Sequence, residues 1–399
     1  MLKRVEKQNL KDLKDACVLA KDAKFPSPFD SKLEFSCSAR GPWNIVHTGM
    51  LIPQAHEVYV CAQSCLRGVV LTAAEMNAID RFSNIIVREN NILEGDTEDL
   101  IVEGMGDILE KLPYTPRAIL VYTSCIHHFI GCDLNLVYKR LREKYPNVEF
   151  TDCYMNPIMR KSGLTPDQLM RRQLYSLLDK QDLDLKSVNI IGNNLKTDDD
   201  SELVKIIKEN GFTLREVPRT KTYDEYKEMG KAFLNITYNP AAIEAGRYLE
   251  KKLGQKHLYL PLSYGFDEIE KTLDTLCENL GIEKIDFSSN KQQALDALKK
   301  AKEVIGDTPI EIDYTLTLRP ASLARLLLEN GFNVVAIYED CFAGEEEEDF
   351  KWIQENYPNL KIYATVHVKM RFVNRKRDEK LLALGQKAAY FTGSNNFVN

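Results

Sequence analysis

Short apolar runs, each followed by an amphipathic stretch, recur along this chain and restrict its architecture more than any other feature. Ala118-Ile-Leu-Val-Tyr122 precedes a helical pattern over Leu134–Tyr145. Val188-Asn-Ile-Ile-Gly192 precedes Ser201–Asn210, and Ala232-Phe-Leu-Asn-Ile236 precedes Pro240–Leu253. Ile310-Glu-Ile-Asp-Tyr314 precedes Ala321–Asn330, and Phe332–Ile337 and Leu360–Thr365 are further strand-like runs. Gly211, Gly254 and Gly331 follow three of the helical patterns, where glycine ends a helix. Strands alternating with helices of this length predict an α/β fold of doubly wound parallel sheets. A chain of 399 residues holds more than one such sheet. Polar clusters near Asp182–Lys186 and Asp286–Asn290 suggest three Rossmann-like domains, 1–183, 184–288 and 289–399.

The N-terminal stretch Met1–Lys24 is interrupted by charge every few residues and lacks the apolar core of a signal peptide. Its apolar positions, Leu2, Val5, Leu10, Leu13, Val18 and Leu19, suit an amphipathic helix. No run of about 18 apolar residues occurs, so no membrane span is expected. With 53 basic and 59 acidic side chains the net charge is -6, which argues against a general nucleic-acid binder. A cytoplasmic location is the expectation.

The cysteines are harder to place. There are nine, an odd number, in a chain too large to need disulfides for its core. In a reducing compartment grouped cysteines bind metal or do redox work more often than they pair. Cys37, Cys61, Cys65, Cys125, Cys132 and Cys153 fall in the first part of the chain, most of them beside Gly or Pro. Convergent thiolates are the ligands that iron–sulfur clusters need. Spacing alone leaves the plainer reading open, in which these are buried free thiols. Parallel sheets bind ligands beyond the carboxyl ends of their strands. The segment Thr123-Ser-Cys-Ile-His-His lies at such a place. No GxGxxG or GxxxxGK[ST] occurs there, so those nucleotide sites are not supported.

Three segments together resemble the nitrogenase component 1 family, which includes dinitrogenase subunits, protochlorophyllide reductase subunits and cofactor-assembly scaffolds. They are Cys37-Ser-Ala-Arg-Gly, Ala62-Gln-Ser-Cys-Leu-Arg-Gly and Thr123-Ser-Cys-Ile-His-His-Phe-Ile-Gly-Cys-Asp-Leu. Their order and approximate spacing match that family, and looser agreement extends over roughly residues 30 to 399. The resemblance implies three domains around a central cleft. It implies that Cys37, Cys65 and Cys125 hold an iron–sulfur cluster, 4Fe–4S or larger, shared at a subunit interface. Cys61 is the rival to Cys65, and the Gln-Ser-Cys match favours Cys65. Three ligands from one chain imply a homodimer or a heterodimer with a paralogous subunit. They also imply a separate ATP-dependent iron–sulfur reductase protein as electron donor.

The departures matter as much. Counting back from Gly254, the position of the family's cofactor cysteine falls on Tyr238, and tyrosine is a poor substitute for a thiolate. His367, in strand-like Tyr363-Ala-Thr-Val-His-Val, does not match the family's cofactor histidine. No iron–molybdenum cofactor is therefore expected. Arg319 precedes Pro320 at a helix start and suits either an anion in the substrate cleft, beside Tyr238, or a local salt bridge. His127 and His128 follow Cys125, one expected exposed and one packed near the cluster, with proton delivery as an open role. The basic run Lys369, Arg371, Arg375, Lys376, Arg377 and Lys380 reads as a solvated face or a grip for an acidic ligand. The chain is read as a subunit of a nitrogenase-like oxidoreductase. The alternatives are a non-catalytic scaffold for assembly of a metal cofactor and a redox-inert α/β binding protein.

Overall fold

The computed structural model describes residues 13–30, 45–155, 164–373 and 380–399. The chain forms two compact units, Gly41–Leu260 and Met1–Arg40 with Pro261–Asn399.

The N-terminal pattern predicts a helix, but residues 13–22 form none. A 3-10 turn, Lys14–Ala16, leads into strand β1 (Cys17–Leu19) and a second 3-10 turn, Ala20–Asp22. The reason is tertiary. β1 pairs antiparallel with Lys361–Tyr363, while Leu13, Ala16 and Ala20 are buried. An amphipathic pattern states which side is apolar, and a sheet edge that offers pairing can override local propensity.

The unit Gly41–Leu260 holds two four-stranded parallel sheets. The first contains β2 (Ala55–Cys61), β3 (Phe82–Ile86), β4 (Ala118–Ser124) and β5 (Glu149–Met155), in the order β3-β2-β4-β5. Every residue of β2 and β4 is buried, as expected for central strands covered on both faces. The second contains β6 (Asp184–Ile190), β7 (Thr213–Arg215), β8 (Ala232–Thr237) and β9 (Lys256–Tyr259), in the order β7-β6-β8-β9.

The other unit holds β10 (Ile310–Asp313), β11 (Val334–Tyr338), β12 (Lys361–Tyr363), β13 (Leu382–Leu384) and β14 (Phe397–Val398). With β1 they form a six-stranded sheet, β1-β12-β11-β10-β13-β14, parallel except at β1. Helix Ile243–Leu253 stops at Gly254, which takes φ 76°, a conformation cheap only for glycine.

In each sheet the chain lays strands outward on one side and then returns to the other. The order reverses between β2 and β4, between β6 and β8, and between β10 and β13. Diverging connections open a crevice at the carboxyl ends there, and ligands bind in such crevices.

Candidate functional site

The reversal in the first sheet brings three cysteines together. β2 ends at Cys61, fully buried in the apolar core. The chain then makes the 3-10 turn Gln63–Cys65 and enters helix Leu66–Glu75, leaving Cys65 exposed. β4 ends at Ser124, and half-buried Cys125 opens a short helix, Cys125–Ile130. Val60 pairs with Thr123 in the ladder, so the two chains leave the sheet side by side. Burial, then the charges that Cys65 and Cys125 would carry, push the Cys61 thiol up to about 12. Cys65 and Cys125 therefore each lie near enough to Cys61 to act on its thiol. Cys37 lies outside the described residues.

Among the described residues no group of three or more His, Cys, Asp or Glu side chains is placed to hold a single metal ion. A cluster has a different requirement, because its thiolates bind separate iron atoms around an inorganic core. Two further observations fit such a group. Ser124 Oγ and His127 Nε2 are buried and have no hydrogen-bond partner. Thiols with unmatched polar atoms beside them suit a sulfur-ligated cluster better than a closed apolar core. His127 is buried and His128 exposed, the division that the sequence suggests.

The remaining described cysteines lie in other surroundings. Cys153 lies within β5, and burial raises its thiol well above the usual range. Cys132 follows the Cys125–Ile130 helix, its N–H bonded to His127 O at 3.0 Å. Burial first, and Glu98 second, push its thiol up to about 12. Cys277 is buried in helix Phe266–Leu280, Cys17 lies in β1, and Cys341 is exposed.

Behind the cysteines lies a polar group that the sequence reading overlooks. Glu57, in the middle of β2, is 1% exposed. Tyr59 OH donates to its Oε2 at 3.1 Å. Tyr122 OH lies 3.3 Å from its Oε1, 2.9 Å from Ile45 O and 3.1 Å from Met170 Sδ. A phenol has one proton, and the shorter contact to Ile45 O takes it. A protonated Glu57 then donates to Tyr122, and every group in the chain is satisfied. Burial, the largest influence, raises the Glu57 carboxyl well above its ordinary value. The nearby Arg81 guanidinium is engaged by the carbonyls of Met50, Ile52 and Ala55. The available signal was a lone acid in an otherwise core-like strand.

Tyr238 follows β8 at the reversal of the second sheet. Its hydroxyl lies 3.1 Å from Thr197 Oγ1. Thr197 Oγ1 donates to Glu216 at 2.8 Å, so Tyr238 donates to Thr197. Glu216 is buried and also accepts from Asn193 Nδ2 at 3.1 Å and Arg219 Nε at 3.0 Å. Burial, the largest influence, raises the Tyr238 phenol. Tyr238 belongs to the same unit as the three clustered cysteines, and Arg319 to the other.

Arg319 is 4% exposed and fully engaged within its own unit except at Nε. Nη1 donates to Leu262 O and to Glu268 at 3.3 Å, and Nη2 to Glu345 O at 2.8 Å and Asp349 at 3.1 Å. The helix Pro320–Glu329 has its first N–H groups occupied as well. Glu346 Oε1 accepts from Ala321 N at 2.8 Å. Both features that suggest an external anion thus serve carboxylates of this chain. Arg319→Leu leaves the carbonyls of Leu262 and Glu345 without that donor and leaves Asp349 with Arg325 alone, at 3.2 Å, so about 1–3 kcal/mol of stability should be lost in urea unfolding. A loss below about 0.5 kcal/mol would instead mark the weak pairing of a surface arginine.

His367 is not in a strand as its flanking pattern predicts. It caps the 3-10 segment Val368–Phe372, accepting from Lys369 N at 3.1 Å. In the basic run, Lys369 pairs with Asp15, and residues 375–377 lie outside the described residues. No helix among the described residues is long and apolar enough to cross a membrane.

The family model for nitrogenase component 1 type oxidoreductases matches residues 46–390. The chain belongs to that family. Solved structures agree in fold. One, described as nitrogenase Cp1 at pH 6.5, superposes with a TM-score of 0.65 at 14% identity, covering 95% of this chain and 88% of the other. A second, nitrogenase Cp1 at pH 5, gives 0.53 at 13% identity, with 91% and 83% covered. No curated protein matches the sequence significantly. Membership of this family makes the chain a nitrogenase-like oxidoreductase subunit, in a family that generally binds iron–sulfur clusters.

Proposed function

We propose that this chain is one subunit of a nitrogenase-like two-component reductase of the cytoplasm. In this reading Cys37, Cys65 and Cys125 hold a 4Fe–4S or larger cluster at the interface with a second copy or a paralogous subunit. When bound, such a cluster supplies one-electron transfer. The observation that carries the reading is the grouping of Cys61, Cys65 and Cys125 at the reversal of the first sheet. Cys65 and Cys125 are the accessible thiols of the three, and Cys61 is the core residue behind them.

The chain's other residues have separate tasks. Phe129 is 69% and Leu93 83% exposed, on short helices that follow β4 and β3 at the same end of the sheet. Such exposed apolar side chains suit burial against a partner subunit, which would keep water from the cluster. Substrate binding belongs near Tyr238, at the reversal of the second sheet. Tyr238 offers a phenol already bonded to Thr197 rather than a thiolate, which supports a function without an iron–molybdenum cofactor. A separate ATP-dependent iron–sulfur protein is the electron donor.

The test mixes cluster-loaded protein with that donor. Reduction of the cluster signal in electron paramagnetic resonance (EPR) should require both the donor and MgATP. A protein that instead passes its iron and sulfide to an acceptor protein, with no ATP-dependent reduction, is an assembly scaffold.

A further inference from the structure

The turn that carries β4 into the Cys125–Ile130 helix is held by His127 rather than by its cap serine. Ser124 occupies the cap position, where a serine hydroxyl ordinarily accepts from a backbone N–H of the first helical turn. Here that hydroxyl is buried and has no hydrogen-bond partner. The bond comes from the other direction. His127, 2% exposed, turns its ring back so that Nδ1 lies 3.2 Å from Ser124 N and 3.3 Å from Ser124 O. Both neutral tautomers therefore engage the same backbone: a bare Nδ1 accepts from the Ser124 N–H, and a protonated Nδ1 donates to the Ser124 carbonyl. The His127 carbonyl also accepts from Cys132 N at 3.0 Å, where Gly131 takes φ 69° and ends the helix. One buried residue thus ties both ends of a six-residue helix whose first member is Cys125. A helix this short has little stability of its own, so its side-chain bonds decide how it sits.

We propose that His127 is the positioning residue for Cys125: its ring sets the strand-to-helix turn before a cluster binds and so presents the Cys125 thiolate in one direction. The proposal rests on the cluster reading above. Cys125 is half-buried directly after Ser124, so the direction of its Cα–Cβ bond follows from the Ser124 backbone. Ser124 takes φ -97° and ψ 178°, an extended conformation, and Cys125 is already helical. Loss of the ring bond lets this hinge sample other angles, and a thiolate that has to be ordered on binding holds iron less tightly. A residue that orients a metal ligand contributes about 10–100-fold in affinity. Cys65, by contrast, follows a turn closed by its own backbone, Cys65 N to Ala62 O at 2.9 Å. His127 acts through Ser124, without a titrating role.

The test uses the full-length protein, reconstituted anaerobically with iron and sulfide. Wild-type protein that stays iron-free overturns the cluster reading itself. The turn is read separately, in wild-type protein before reconstitution, by amide exchange over residues 123–126. Protection should already be present there; exchange as fast as in an open loop overturns the proposal even if no variant folds. With iron bound, a ferrous chelator strips each variant. His127→Leu should lose its iron at about 10–100-fold lower chelator concentration than wild type. Its EPR signal should broaden as Cys125 takes several orientations. His127→Gln supplies an amide that accepts from Ser124 N or donates to Ser124 O, the role of glutamine at this position of a capping box, so it should restore both. His128→Leu, on the exposed neighbour, should match wild type. A folded His127→Leu with wild-type chelator resistance and line shape overturns the proposal, and so does a folded His127→Gln that behaves like His127→Leu.

Discussion

Cys65→Ala and Cys125→Ala are each expected to strip the protein of bound iron, whereas Cys277→Ala leaves it in place. Losing a residue that merely orients a metal ligand costs about 10–100-fold in affinity, and losing the ligand costs more. Cys277 lies buried in a helix of the other unit, so its removal tests for a general effect of thiol loss. Cys37→Ala should behave like Cys65→Ala. Cys61→Ala is the decisive comparison, because Cys61 is core and Cys65 exposed within one turn of chain. Iron analysis and EPR of anaerobically prepared variants read the result. If Cys61→Ala loses the iron and Cys65→Ala keeps it, the ligand is Cys61.

A second large effect is expected at Glu57. Its folded-state carboxyl titrates well above the ordinary value, because burial disfavours the ion. The unfolded chain releases this proton near pH 4.5 and the folded chain only at much higher pH. The stabilisation is therefore complete below about pH 4.5 and is lost as pH rises towards the folded value. Within that window the cost grows by at most about 1.4 kcal/mol per pH unit. Glu57→Gln keeps the shape, accepts from Tyr59 and donates to Tyr122, and cannot ionise. The groups around it, Tyr59, Tyr122 and Cys153, are raised by burial, and Arg81 is engaged with carbonyls. The difference between variant and wild type thus isolates one carboxyl. Urea midpoints between pH 5 and pH 8 should diverge, the variant gaining on the wild type as pH rises. Parallel curves would show that Glu57 is ionised in the folded protein.

The two cases also show what a sequence reveals of such a fold. The runs at Ala118, Val188, Ala232, Ile310, Phe332 and Leu360 all overlap strands, because both faces of a parallel sheet are covered and their residues read as continuous apolar stretches. β2 is equally central yet was not legible. His56 and Glu57 interrupt its pattern, and their partners, Tyr114, Ser83 and Tyr122, lie 58, 27 and 65 residues away. The same distance effect hid Arg319. Its own segment shows a helix start, while Glu268 and Asp349, 51 and 30 residues off, complete its surroundings. The cysteines were legible by type and by family resemblance. Their convergence depends on the β2–β4 register, which no local pattern records.

The central claim is that this chain binds an iron–sulfur cluster through Cys37, Cys65 and Cys125. Iron and acid-labile sulfide in the wild-type protein, measured after anaerobic reconstitution, test it most directly. About four iron atoms per chain or per dimer are expected, with matching sulfide. Protein that remains free of iron under those conditions would contradict it.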